Sequence, residues 1–143
     1  MNKKVVILGV FVILVIIISF IYYKPNNTQE YEINLSEIST EAKWFNYTQD
    51  NVQITFFAVK ANDGTIKTAF NACDVCYGEK KGYSQDDEYM VCNNCGNRYK
   101  ISDLGVENKL SGGCWPGYLS NTIKGDKLLV KVSDITKGSF RFA

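Results

Sequence analysis

The chain has 143 residues, a formal net charge of +1 and no histidine. A chain of that length makes one small domain plus attachments. Lysines and acids are interspersed, so no basic stripe marks a nucleic-acid partner, and the missing histidine excludes a histidine general base and any metal site that needs an imidazole.

Residues 1–4 carry Lys3, Lys4 and the terminal amine, and Val5 to Tyr23 follows without a charge. At about 1.5 Å per residue, this apolar run comes close to the ~30 Å hydrocarbon core of a bilayer. Tyr22 and Tyr23 stand where interfacial aromatics belong, and Lys24 and Pro25 close the run. The stretch from Ser19 to Pro25 offers no small-residue cleavage site, which favours a retained anchor over a cleaved leader. The expected organisation is a cytoplasmic N-terminus at 1–4 and one transmembrane helix at 5–23. A polar tether at 24–30 then leads to an extracytoplasmic domain at 31–143. The positive end stays inside by the charge rule, so the protein is expected at the cytoplasmic membrane as a single-pass chain.

From Tyr31 onward the pattern is β. Ile33 to Ile38 alternates apolar and polar residues, and Lys43 to Tyr47 is aromatic and strand-like. Asn51 to Val59 begins as an alternating strand and becomes apolar on both faces. Asn62-Asp63-Gly64 signals a tight turn, and Thr65 to Phe70 returns as the second arm of a hairpin. That arm delivers Cys73. Gly78 and Gly82 frame a charged loop, Glu88 to Val91 enters Cys92 as a strand, and Arg98 to Ile101 leaves Cys95 as its partner. Leu104-Gly105 turns the chain. Ser111 to Gly117 reads as a loop, and strands are expected at Lys127 to Val132 and Ser139 to Phe142. No helical period of useful length appears outside the anchor.

All five cysteines fall between Cys73 and Cys114. Cys73-Asp74-Val75-Cys76 and Cys92-Asn93-Asn94-Cys95 are two CxxC pairs at a separation typical of metal sites. Two intervening residues let both sulfurs point to one side of a turn, where backbone N–H groups stabilise thiolate charge. Gly96 suits the left-handed backbone of such a turn, and its missing Cβ is expected to let the chain pass close to sulfur. A CxxC disulfide would close only a very short loop, so metal fits the pairs better than bridges do. Cys73, Cys76, Cys92 and Cys95 are the candidate ligands, for zinc, for a single iron or for an iron–sulfur cluster. Cys114 is a candidate fifth thiol. Phe70, Tyr77, Tyr83 and Tyr99 are candidates to shield the site, or plain core residues. A thioredoxin-like exchanger would want a βαβ setting, which is missing. So is any Ser/His/Asp arrangement, phosphate loop or paired-carboxylate site, and the chain reads as a non-enzymatic metal or redox protein.

Asn71-Ala72-Cys73-Asp74-Val75-Cys76-Tyr77, Lys81-Gly82-Tyr83, Met90-Val91-Cys92-Asn93-Asn94-Cys95-Gly96 and Gly112-Gly113-Cys114-Trp115-Pro116 together resemble the FtrD-like family of membrane iron–sulfur proteins. The resemblance covers roughly residues 31–143. It implies an iron–sulfur or iron centre on Cys73, Cys76, Cys92 and Cys95, with Cys114 as an optional member, and a link to iron transport and redox systems. The implied partner is a membrane redox protein or an iron permease. A looser similarity is to Rieske domains, whose ligand pairs each combine one Cys and one His; here both pairs are Cys/Cys. The expected fold is therefore all-β: a small Rieske-like β-sandwich with a two-knuckle metal subdomain, behind one transmembrane helix. The expected function is electron transfer or iron handling outside the membrane. A structural zinc-binding interaction module and a thiol-based metal carrier remain as alternatives.

Overall fold

The computed structural model describes residues 29–106, 108 and 113–143. The anchor expected at 5–23 and most of the tether lie outside the described residues. Among those described, no helix is long and apolar enough to cross a membrane.

The chain is mostly β, with nine short strands in three antiparallel sheets among the described residues. The strands are β1 (Glu30–Asn34), β2 (Lys43–Gln49), β3 (Val52–Lys60), β4 (Ile66–Phe70), β5 (Tyr83–Asp86), β6 (Tyr89–Cys92), β7 (Arg98–Lys100), β8 (Thr122–Lys124) and β9 (Lys127–Lys131). One short helix, α1 (Val132–Lys137), follows β9. The sheet orders are β1-β9-β8, β2-β3-β4 and β5-β6-β7.

β3 is the centre of the molecule because its two faces are both buried. Ile54, Phe56 and Ala58 point into one core, with Ile33 from β1, Leu128 and Val130 from β9, and Ile135 from α1. Phe57 and Val59 point into a second core, with Tyr83, Met90, Ile101 and Leu104. Cys73 and Cys92 belong to this second core. Phe56 and Phe57 are both fully buried, and each such side chain contributes roughly 1.5–3 kcal/mol relative to exposure. The doubly apolar run expected at 51–59 is thus a strand shared between two cores.

The hairpin of β3 and β4 forms as expected, with Phe56 opposite Phe70 and Lys60 opposite Ile66. Asp63 closes its turn by accepting from the Thr65 N–H at 2.9 Å. Three expectations fail. The strand from Ile33 stops at Asn34, and Leu35–Glu37 turns into a 3-10 segment. Ser139 to Phe142 is not a strand but follows α1 into a second 3-10 turn at Ser139–Arg141. The Gly138 N–H donates to Ile135 O and the Phe142 N–H to Ser139 O, so local bonds take the groups a sheet would need. The alternation of Phe140 and Phe142 misleads: Phe140 is largely exposed, and Phe142 packs on Phe70. Finally, α1 itself was hidden, because six residues are too few to show a period. β5 and β8 also lie in stretches too polar to suggest strands.

Candidate metal centre

Three chain segments bring the cysteines together. β4 ends at Phe70 and hands the chain to Cys73, and β6 ends on Cys92 itself. Cys114 arrives on a loop stitched to the end of β4. The Phe70 N–H donates to Gly117 O, and the Gly117 N–H donates to Ala72 O, both at 2.8 Å. These two bonds fix the Cys114 loop just ahead of the first CxxC turn.

The first turn has the local geometry the spacing demands. The Cys76 N–H donates to Cys73 Sγ at 2.8 Å, a contact that favours negative charge on that sulfur. In the second turn the Gly96 N–H donates to Cys92 O at 2.8 Å, and the Cys92 N–H to Asn97 O at 2.9 Å. Gly96 has φ +75, and a Cβ built there would meet nothing within 4 Å. Its role is therefore the left-handed backbone alone. The expected close approach of chain to sulfur at Gly96 is not needed.

The two residues inside the second pair hold the loop in front of it. The Asn93 N–H donates to Gly82 O at 3.0 Å, and Asn93 Nδ2 to Lys81 O at 2.9 Å. Lys81 Nζ donates to Asn94 Oδ1 at 3.0 Å. The charged loop expected between the pairs is thus tied across the site. Asn93 and Asn94 were not singled out from sequence; two adjacent amides inside a CxxC were the available signal.

All five sulfurs come together, in two overlapping triads. Cys73, Cys76 and Cys114 form one, and Cys76, Cys92 and Cys95 form the other, each with its sulfurs within 4.8 Å of one another. Cys76 belongs to both. Its sulfur is 3.2 Å from that of Cys114, well beyond the ~2.05 Å of a disulfide, and all five cysteines are free thiols. Cys73 and Cys92 are buried, Cys76 and Cys114 are half-buried, and Cys95 is exposed.

The environment splits their acidities. A hydrogen bond from the Asn94 side chain, then one from Cys114, holds the Cys76 thiol below its ordinary range. Cys114 is pushed up, first by its bond to Cys76 and then by burial. Burial also pushes Cys92 up. The Cys76–Cys114 pair shares its protons, and the negative charge settles first on Cys76.

The aromatic residues divide. Tyr83 is buried beside the cysteines, with its hydroxyl donating to Cys114 O, and burial raises its pKa far above the usual phenol range. Tyr99 lies 6.4 Å from Tyr83 and 4.5 Å from Trp115, ring centre to ring centre. Trp115, noted in the sequence only as part of the resembling motif and not as a shielding residue, completes this wall. Phe70 instead serves the opposite core, and Tyr77 packs edge-on against Phe140. A cavity of about 220 Å³ borders Cys73, Cys76 and Cys92, with Lys80, Lys81 and Asn94 on its rim.

Thiols alone make up this donor set, which suits zinc, iron or an iron–sulfur cluster and disfavours hard cations that want oxygen. A mostly β chain that gathers five free thiols defines a candidate cysteine-ligated metal protein. The model of the FtrD-like family, described as membrane iron-sulfur containing proteins, matches residues 38–142, and the chain belongs to that family. No curated protein and no solved structure gives a match.

Proposed function

We propose that this protein is a membrane-anchored iron–sulfur or iron protein that transfers electrons or handles iron outside the cytoplasmic membrane. The observation that carries the reading is the gathering of five thiols, with no imidazole, in a member of a membrane iron–sulfur family. Cys73, Cys76, Cys92 and Cys95 are the ligands of the centre, and Cys114 stands close enough to join them. When bound, an iron–sulfur group supplies one-electron chemistry. The chain's own share is to hold the thiolates and to wall off one side with Tyr83, Tyr99 and Trp115.

The apolar run at 5–23 is the anchor, and 24–30 the tether that keeps the domain at 31–143 near a membrane redox protein or an iron permease. The description of the family as membrane proteins supports this placement. The domain is read as Rieske-like, with the sheet β5-β6-β7 carrying one knuckle as a metal subdomain. Four thiolates in place of two thiolates and two imidazoles then give a lower reduction potential than a Rieske centre has.

The test is the full chain purified in detergent without oxygen, with iron, zinc and acid-labile sulfide measured beside an absorption spectrum. Iron with visible bands that bleach on reduction is the expected result. Stoichiometric zinc with no visible bands would end the electron-transfer reading and leave a structural zinc module.

A further inference from the structure

We infer that the five thiols form a two-ion centre in which Cys76 is the bridging thiolate. One ion takes Cys73, Cys76 and Cys114, and the other takes Cys76, Cys92 and Cys95. This rests on the metal-centre reading above and specifies its ligands.

The sulfur geometry is the support. A single tetrahedral ion at a metal–sulfur distance of about 2.3 Å draws four sulfurs into one mutually close set, with edges of roughly 3.8 Å. The five sulfurs form two triads instead of such a quartet, and Cys76 is the member common to both. Cys114 Sγ, on the neighbouring loop, lies 3.2 Å from it. A thiolate has lone pairs enough for two ions.

Each thiol gives its proton to solvent as its ion binds.

Each triad supplies three ligands, so each ion keeps a position for an outside ligand. The cavity beside Cys73, Cys76 and Cys92 offers a route for one. Small soft donors, inorganic sulfide above all, are the ligand class that suits ions already held by thiolates. An iron–sulfur centre and a two-ion thiolate site are thus the same scaffold with different outside ligands.

The experiment uses cobalt(II) as the probe, added to the reduced, metal-free full chain in detergent without oxygen. Two equivalents should bind, and the electron-spin signal of the first should disappear as the second enters, because a shared thiolate couples the two spins. Cys95→Ser and Cys114→Ser should each bind one equivalent and keep an uncoupled signal, with near-ultraviolet circular dichroism showing that they fold. Cys76→Ser should weaken both ions. Saturation at one equivalent overturns the two-ion inference and leaves the metal-centre reading standing. Two equivalents without coupling, or two coupled equivalents in Cys76→Ser, overturns the bridge. No cobalt bound to folded protein overturns both readings.

Discussion

Arg141 reaches across the molecule to Asp74, the first residue inside the first CxxC pair. Its Nε and Nη2 both donate to Asp74 Oδ1, at 2.8 and 2.5 Å. The guanidinium also lies over the Phe140 ring at 4.3 Å and the Phe70 ring at 5.1 Å. The C-terminal turn therefore holds the first cysteine turn in place. Both partners are largely shielded from water, so the pair is stronger than a surface ion pair. Arg141→Ala should destabilise the fold by about 1.5–3 kcal/mol, the range for charged hydrogen bonds. Denaturant unfolding measures this. Metal release from the variant should also be faster, and Arg141→Lys should recover only part of both effects because it lacks the planar fork.

Two glycines beside the site separate backbone strain from crowding. Gly82 has φ +63, and a Cβ there would lie 2.5 Å from Asn71 Nδ2. The Asn71 side chain accepts the Tyr83 N–H at 2.8 Å, so yielding to an added Cβ would break that bond. Gly96 has φ +75 with open space around it. Gly96→Ala should cost only the left-handed strain, about 1–2 kcal/mol. Gly82→Ala should cost that strain plus about 1–3 kcal/mol of overpacking. Thermal or urea unfolding of the two variants gives the difference, and equal losses would show that Asn71 yields freely.

Metal loading should strengthen as pH rises. Cys92 and Cys114 are both held above the ordinary thiol range, so at neutral pH each keeps its proton until an ion displaces it. Each displaced proton makes apparent affinity rise about tenfold per pH unit below the thiol pKa. The sign is fixed: acidification returns protons to these sulfurs and expels the ion. Competition titrations with a chromogenic chelator at several pH values count the protons. An affinity flat with pH would mean that these thiols are already ionised in the metal-free protein.

Exposure predicts the order of alkylation. Cys95 is exposed, whereas Cys73 and Cys92 are buried. In the reduced metal-free chain iodoacetamide should modify Cys95 well ahead of Cys73 and Cys92, and peptide mass mapping at short times reads that order. Metal loading should protect Cys95 along with the rest, since a coordinated thiolate is no longer a free nucleophile. Unchanged labelling of Cys95 after loading would remove it from the ligand set.

The sequence carried the hairpin of β3 and β4 because Asn62-Asp63-Gly64 and the flanking apolar runs agree on one answer. It carried the two CxxC turns because their chemistry is local. It did not carry the end of the chain: Phe140 and Phe142 alternate like strand residues, yet Gly138 and Ile135 begin a run of local hydrogen bonds instead. An added Cβ at Gly138 would sit 2.2 Å from the Phe70 ring, so that turn is fixed by a residue nearly seventy positions earlier. Such a contact leaves no mark in a short window. The same holds for Trp115, Asn93 and Asn94, whose importance comes from what they meet across the fold. Cys114 was visible as a thiol, but its place depended on Gly117 pairing with the end of β4.

β3 sends Phe56 one way and Phe57 the other, with each side chain fully enclosed. A strand of this kind has parity. Insertion or loss of a single residue within it would exchange the occupants of both interiors at once, sending the side chains meant for β1 and β9 toward the sulfurs. Changes of length in this strand are therefore tolerable only in twos, and the thiol cluster inherits that rule from a segment that contains no cysteine.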